Sequence, residues 1–344
     1  MAKLQLNQHG TWAKPPNSIL AFEPTHASRY YILATMLAQL GSPKDLKVLD
    51  VGGKKGLLAK FSGFKPTVID IEESDEPRFV QGSALAMPFR DEEFDYAVSC
   101  DVLEHIPEED RQRFLTEMLR VSKQGIIVCA PFDDSSNRKI EVEMNDYYKK
   151  ISGTPHRWLK EHIDNGLPKM QQIEKIVDQL GYRHTHFRHF SAPIWRQIVQ
   201  LHLLAATVGD NKLFQTTLLE LYKDYYNLMC RQDFSPVGYR TFLWVSKKDA
   251  PNVVLPTNNE HNAADERFSA VIQDKIAGVI KAEIQAVRDA QRSNQKSIDT
   301  AQDLRKQLRN ANRELTAIKK SKSWKLALKL SRTKNRLTSI GSSK

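Results

Sequence analysis

KVLDVGGKKGLLAKF, residues 47–61, decides the reading of this chain. Val48, Leu49 and Val51 form an apolar run around one acid, Asp50. The run breaks into Gly52-Gly53, two lysines and Gly56, and a helical pattern begins at Leu57. This is a strand, a tight turn and a helix. Glycine tolerates positive φ and lets backbone come close to a ligand, so the turn suits a nucleotide-like cofactor. Lys54 stands where such a turn usually carries another glycine, and Gly53 beside it keeps the turn permissive.

Working outward, strand signals recur at 47–51, 66–71, 78–81, 94–99 and 125–130. An amphipathic helix is predicted over 26–40, before the first strand. A second spans 108–121, with Phe114, Leu115, Met118 and Val121 at helical spacing. Alternation of strands and helices predicts an α/β fold with a parallel sheet covered on both faces. Two further strands, 182–190 and 239–246, flank a helical insertion at about 194–230. Only EESDEP (72–77) separates the second and third strands, so the usual helix between them is nearly absent.

Three cysteines lie far apart, which argues against a disulfide framework or a zinc site and suits a reducing cytosol. No apolar signal-peptide core is visible at the N-terminus, and no run of about 18 apolar residues spans a membrane. The net charge of +10 is unevenly placed. Residues 265–344 hold 19 Lys+Arg against 8 Asp+Glu, leaving the rest almost neutral. A neutral body with a basic tail suggests that the tail meets something anionic.

Asp50, Gly52 and Gly56 match motif I of class I S-adenosylmethionine-dependent methyltransferases, acid-x-Gly-x-Gly-x-Gly. VIDIEES (68–74) ends the second strand on Asp70. QGSALAMPFRDEEFDYAVSCDVLEHIP (81–107) resembles the following stretch of the type 11-like members. Met87-Pro88-Phe89, Phe94-Asp95 and Val102-Leu103-Glu104-His105 fall in place. FLTEMLRVSKQGIIVCAPF (114–132) is similar to the helix and strand that close the homologous core, and the resemblance covers about 26–132. It implies a Rossmann-like seven-stranded methyltransferase sheet and S-adenosylmethionine as cofactor. It assigns Asp50, Gly52, Gly53, Gly56, Asp70, Ser83 and Ala84 to cofactor binding. Asp70 would hydrogen-bond the ribose hydroxyls. Ser83 stands where the family often has an acid against adenine, and a serine offers one hydrogen bond there.

Methyl transfer to a hydroxyl needs alignment and often a base, and histidine suits the second task. The resemblance would set His105 over the cofactor's methyl, although a turn-stabilising histidine is common at that place. TPHRWLKEHIDNGLP (154–168) adds His156 and His162 as catalytic candidates. On a helix Trp158 and His162 share a face, as do Arg157 and Glu161. This stretch resembles one in methyltransferases of bacterial surface-glycan pathways, where Trp158 would stack on a sugar and Arg157 bind a phosphate. Its alternative is a helix packed on the sheet with a charged rim. Asp101, Glu104, Asp133 and Asp134 are conceivable carboxylate ligands, but no spacing selects a metal site and none is assigned.

The domain boundaries follow: a methyltransferase domain at 1–248, a Pro/Asn-rich linker at 249–263, a coiled coil at 264–320 and a basic amphipathic tail at 321–344. Ala301, Leu304, Leu308, Ala311, Leu315 and Ile318 step as a heptad seam, and Ile276, Ile280, Ile284 and Val287 extend a stripe upstream. SKSWKLALKLSR (321–332) is similar to a box that closes coiled coils in bacterial polysaccharide-processing proteins. The expected partners are a small-molecule or glycan acceptor and further copies of the chain through the coil. The tail would meet an anionic membrane or a glycosyltransferase; nucleic acid is disfavoured because no binding module accompanies the charge. The expected place is the cytoplasm, peripheral on the inner face of the membrane. The expected activity is O-methylation of a sugar or glycan intermediate of bacterial surface-polysaccharide synthesis. The competing reading is a catalytically silent methyltransferase-like scaffold that recruits glycan-assembly partners. A nicotinamide oxidoreductase fits the Glu-His turn and the short second crossover poorly.

Overall fold

The computed structural model describes residues 17–293, apart from 54, 208, 252 and 257–261. The chain enters through α1 (Pro24–Leu40). Glu23 caps it, accepting from the backbone N–H groups of Thr25 and His26 at 2.9 Å each. Pro24 fits the first turn, where no donor is needed. Nearly every residue of α1 up to Leu37 is buried, because it is wedged between the sheet and later helices.

Then follow β1 (Val48–Val51), α2 (Leu57–Ser62), β2 (Thr67–Asp70), β3 (Phe79–Gln81), β4 (Phe94–Cys100), α3 (Arg111–Val121) and β5 (Ser122–Pro131). Further on come α4 (Ser135–Ser152), α5 (Arg157–Asn165), α6 (Met170–Gln179), β6 (Arg183–Ser191), α7 (Ala192–Ala205), α8 (Lys212–Leu228), β7 (Gly238–Ser246) and α9 (Asn262–Ser293). The seven strands form one sheet in the order β3-β2-β1-β4-β5-β7-β6. β1 to β5 pair in parallel, and β7 runs antiparallel between β5 and β6. The predicted elements stand within a few residues of their expected ends, and no helix separates β2 from β3. The predicted 194–230 insertion resolves into two helices, α7 and α8.

Period-two alternation divides the core. Val48, Tyr96, Val98, Cys100, Ile127 and Cys129 face α1, α2, α4, α7, α8 and α9. Leu49, Val51, Ala97, Ile126, Val128 and Ala130 face α3 and α6. All three cysteines are buried and free.

The C-terminal part corrects one expectation. The stripe assigned to an intermolecular coil finds its partner inside the chain. Phe268, Ile272, Ile276, Val279 and Ile280 are buried in the main core against α7 and α8. Lys275 Nζ pairs with Glu220 at 2.8 Å and Asp224 at 3.3 Å on α8. The side chain of Gln39 on α1 brackets the backbone of Val254, holding the start of the connecting segment to the body. The boundary at 264 therefore cuts through the folded unit, because a helical stripe alone does not say which apolar surface will cover it. The heptad seam at 301–318 and the tail at 321–344 lie outside the described residues. No described helix is long and apolar enough to cross a membrane.

Candidate active site

The strand order reverses direction between β1 and β4, and ligands of such sheets bind at the carboxyl ends of the strands there. The glycine turn sits at this point. Gly52 has φ +82°, and a Cβ on it would lie 2.3 Å from Cγ2 of Val102 at the end of β4. Only glycine allows that turn and that approach. Gly52 N–H donates to the carbonyl of Ile69 at 2.8 Å, and Gly82 N–H to that of Asp70 at 2.9 Å. Gly52, Asp70 and the Ser83-Ala84 segment are thus brought to one edge by neighbouring strand ends.

The carboxylate of Asp50 is wholly buried under the turn, within 2.1 Å of where a Gly53 side chain would begin. Among the described residues, neither of its oxygens has a hydrogen-bond partner. Burial pushes its pKa up to about 7, against the pull of Arg29, and Asp70 adds to the rise. Gly56, with φ +60°, makes room for Glu76, whose carboxylate would collide with any side chain there. Asp70 Oδ1 accepts from Glu72 N–H at 2.9 Å, and exposed Ser83 accepts from Leu85 N–H at 3.1 Å. Lys55 is exposed; Lys54 lies outside the described residues.

A second group converges on the end of β4. Asp101 (φ +52°) hydrogen-bonds the Cys129 carbonyl through its N–H at 2.8 Å. Its carboxylate is held between Arg29 of α1 and Arg240 of β7. Burial alone would raise its pKa, but the two guanidinium groups hold it below the ordinary value. One short turn further on, Glu104 is fully buried, and among the described residues both of its oxygens lack a hydrogen-bond partner. Burial and the nearby Asp101 push it up to about 8.

His105 and His162 meet across this turn. Their Nε2 atoms are 3.2 Å apart. His162 comes from α5, which is docked onto the turn from two sides. Asn165 Nδ2 donates to the His105 carbonyl at 3.1 Å, and buried Arg111 bridges the Ile106 and Gly166 carbonyls. Glu141 Oε1 lies 3.1 Å from His162 Nδ1 and accepts from Tyr239 OH at 2.6 Å. Burial depresses both imidazoles. Glu141 overcomes this at His162, raising it, whereas His105 is left at about 4. The predicted common face of Trp158 and His162 is realised, since both rings contact His105, at centroid distances of 5.2 and 4.5 Å. Trp158 is 41% exposed at the rim. Arg157 lies over its ring at 4.3 Å and pairs with Glu72 at 3.4 Å.

His156 corrects an expectation. Its ring caps α5, taking the Leu159 N–H, and packs edge-on against Tyr148. Asp133 and Asp134, weighed as carboxylate ligands, are engaged elsewhere, with Arg138 at 2.6 Å and Arg188 at 2.6 Å. Sequence reasoning missed Arg29, Arg111, Glu141, Tyr239 and Arg240. Each is buried with a polar group, and a charge such as Arg240 within an apolar strand is a sign that sequence offers.

Residues 49–129 match the family model described as a methyltransferase domain. Among curated proteins, the chain is 25% identical over 207 residues to a demethylmenaquinone methyltransferase of Staphylococcus saprophyticus, covering 52% of this chain and 86% of that one. It is 32% identical over 136 residues to an uncharacterized methyltransferase of Mycobacterium tuberculosis, covering 32% and 53%. Among solved structures it is similar to a magnesium protoporphyrin IX methyltransferase from Synechocystis with bound S-adenosylhomocysteine. That likeness has a TM-score of 0.40 at 14% identity, over 65% of this chain and 84% of the other.

Proposed function

We propose that this chain is an S-adenosylmethionine-dependent methyltransferase that methylates a hydroxyl of a sugar or glycan intermediate. The methyltransferase domain at 49–129 supports the reaction class. The cofactor is S-adenosylmethionine, and the residues present fit it. The three glycines let the turn close tightly over Val102, Asp50 and Glu76, and the buried Asp50 carboxylate, without a hydrogen-bond partner among the described residues, would be satisfied by a cationic ammonium. Asp70 offers its carboxylate to ribose hydroxyls at the next strand end. When bound, the cofactor supplies a methyl on a sulfonium; transfer breaks the S–C bond, forms the O–C bond, frees the hydroxyl proton and leaves a neutral thioether.

The observation that carries the acceptor class is the cluster of His105, His162 and Trp158 beside the end of β4. A half-exposed indole offers a flat apolar platform of the kind that takes a sugar face. The two imidazoles stand beside it, and His105 is depressed far enough to be neutral at physiological pH and able to take a proton. Arg157 at the rim suits a phosphate on the acceptor. The basic tail is read as holding the protein to an anionic membrane surface, with the 301–318 seam joining copies.

Isothermal titration with S-adenosylmethionine tests the cofactor, and radiolabelled methyl transfer to nucleotide sugars, polyprenyl-linked saccharides and a demethylated quinone tests the acceptor. His105→Ala is expected to lower turnover by about 10²–10⁴ while cofactor affinity holds. Absence of cofactor binding would favour the silent scaffold. Transfer to the quinone alone would overturn the glycan reading.

A further inference from the structure

The Glu104, His105 and His162 side chains form a group that the methyl-transfer reading uses only in part. One ligand atom from each lies within 4.8 Å of the others. The site is walled by Glu141, Tyr239, Asn165 and Trp158.

The hydrogen bonding around the two imidazoles leaves an unusual arrangement. Glu141 faces Nδ1 of His162 and holds a proton there, so that Nε2 is the atom turned towards His105. A carboxylate oxygen of Glu161 lies 3.3 Å from Nδ1 of His105. The two Nε2 atoms face each other across 3.2 Å. Glu104 is also fully buried, and neither of its oxygens has a hydrogen-bond partner among the described residues. An uncompensated buried carboxylate is costly, and it is usually paired or bound to a metal.

From this geometry we propose that Glu104, His105 and His162 bind one divalent transition-metal cation, which activates the acceptor hydroxyl. This rests on the hydroxyl-methylation reading. Two nitrogens 3.2 Å apart can both stand about 2.0–2.1 Å from one ion at an angle of about 100°, close to tetrahedral. Two imidazoles and one carboxylate form a donor set suited to zinc, manganese or iron, rather than the all-oxygen set of calcium or magnesium. Glu141 behind His162 is the outer carboxylate that orients a metal-binding imidazole, with Tyr239 fixing it in turn. Three protein ligands leave a position open on the ion. An acceptor hydroxyl there loses its proton to solvent more readily, because the ion stabilises the alkoxide. His105 is then a ligand, and the cation takes over the activation otherwise asked of a free base.

The test uses the full chain, stripped with a chelator and dialysed, then titrated with Mn²⁺ while the free ion is followed by electron paramagnetic resonance. One equivalent is expected to bind. His162→Ala and the near-isosteric Glu104→Gln should each weaken Mn²⁺ by at least tenfold, and His156→Ala should leave it within twofold. Circular dichroism checks that the variants fold. S-adenosylmethionine affinity, titrated separately, should be unchanged in Glu104→Gln. A wild-type chain that takes up no Mn²⁺, or an affinity that survives both Glu104→Gln and His162→Ala, overturns the metal site; the imidazoles then share a proton instead. Failure of cofactor binding with Mn²⁺ uptake intact would strike the methyltransferase reading and leave the site standing.

Discussion

Arg240 on β7 donates through Nε to Asp101 Oδ1 at 2.8 Å, 139 residues earlier in the chain. The contact ties the last core strand to the turn that carries Glu104 and His105. Arg29 grips the same carboxylate from α1. The turn is therefore positioned by two distant segments, although its sequence reads as one local motif.

Breaking this grip should be expensive. Removing one partner of a buried ion pair typically costs about 3–5 kcal/mol, since the other charge stays buried. Arg240→Ala is expected to lower stability by that order in urea unfolding. Asp101 has a folded pKa below its ordinary 3.8, so its contribution is complete above that value and fades as pH falls through the folded pKa. The gap between wild type and Arg240→Ala should therefore narrow below pH 3.8. A gap independent of pH would detach the effect from Asp101.

Asp50 has the opposite sign. Its folded pKa is raised from 3.8 to about 7, so the folded state keeps its proton over a range in which the unfolded chain has lost it. Stability falls as pH rises from about 4 to about 7 and then levels. Asp50→Asn, without ligand, should gain on wild type across that window by on the order of 2–4 kcal/mol. The same variant should bind S-adenosylmethionine more weakly, because the buried carboxylate is lost. Thermal melts at pH 5 and pH 8 decide the first half, and calorimetric titration the second.

Asp70→Ala should weaken S-adenosylmethionine by more than tenfold. Charge-assisted hydrogen bonds to ribose are worth roughly 1.5–3 kcal/mol. The carboxylate also accepts from Glu72 N–H at 2.9 Å, so the loop loses an anchor as well. An unchanged dissociation constant would move the ribose contact to another residue.

Two truncations separate body from tail. A chain ending at residue 263 loses Phe268, Ile272, Ile276, Val279 and Ile280 from the core. At about 1.5–3 kcal/mol each, the loss rivals the whole stability of a domain. That chain should not show cooperative unfolding, whereas one ending at residue 293 should. Cooperative melting of the shorter chain would return α9 to the tail.

Some of this protein was legible along the chain. The glycine turn, the order of strands and helices, and the shared face of Trp158 and His162 depend on residue spacing over a few turns, which local backbone sterics and hydrophobic periodicity fix. Asp50, Gly52 and Gly53 could be placed at the turn from sequence alone because a strand–turn–helix is a short, ordered run. The partners of those residues were not legible. Whether the stripe of α9 faces its own body or another copy depends on the apolar surface left by α7 and α8. That surface exists only after the sheet closes. Likewise Glu141, Tyr239 and Arg240 become parts of a site because antiparallel β7 lies beside β5 and α4 packs over it. In sequence Glu141 lies 37 residues beyond Glu104, and the adjacent Tyr239 and Arg240 lie 135 and 136 beyond it, and no local energetic preference spans those distances.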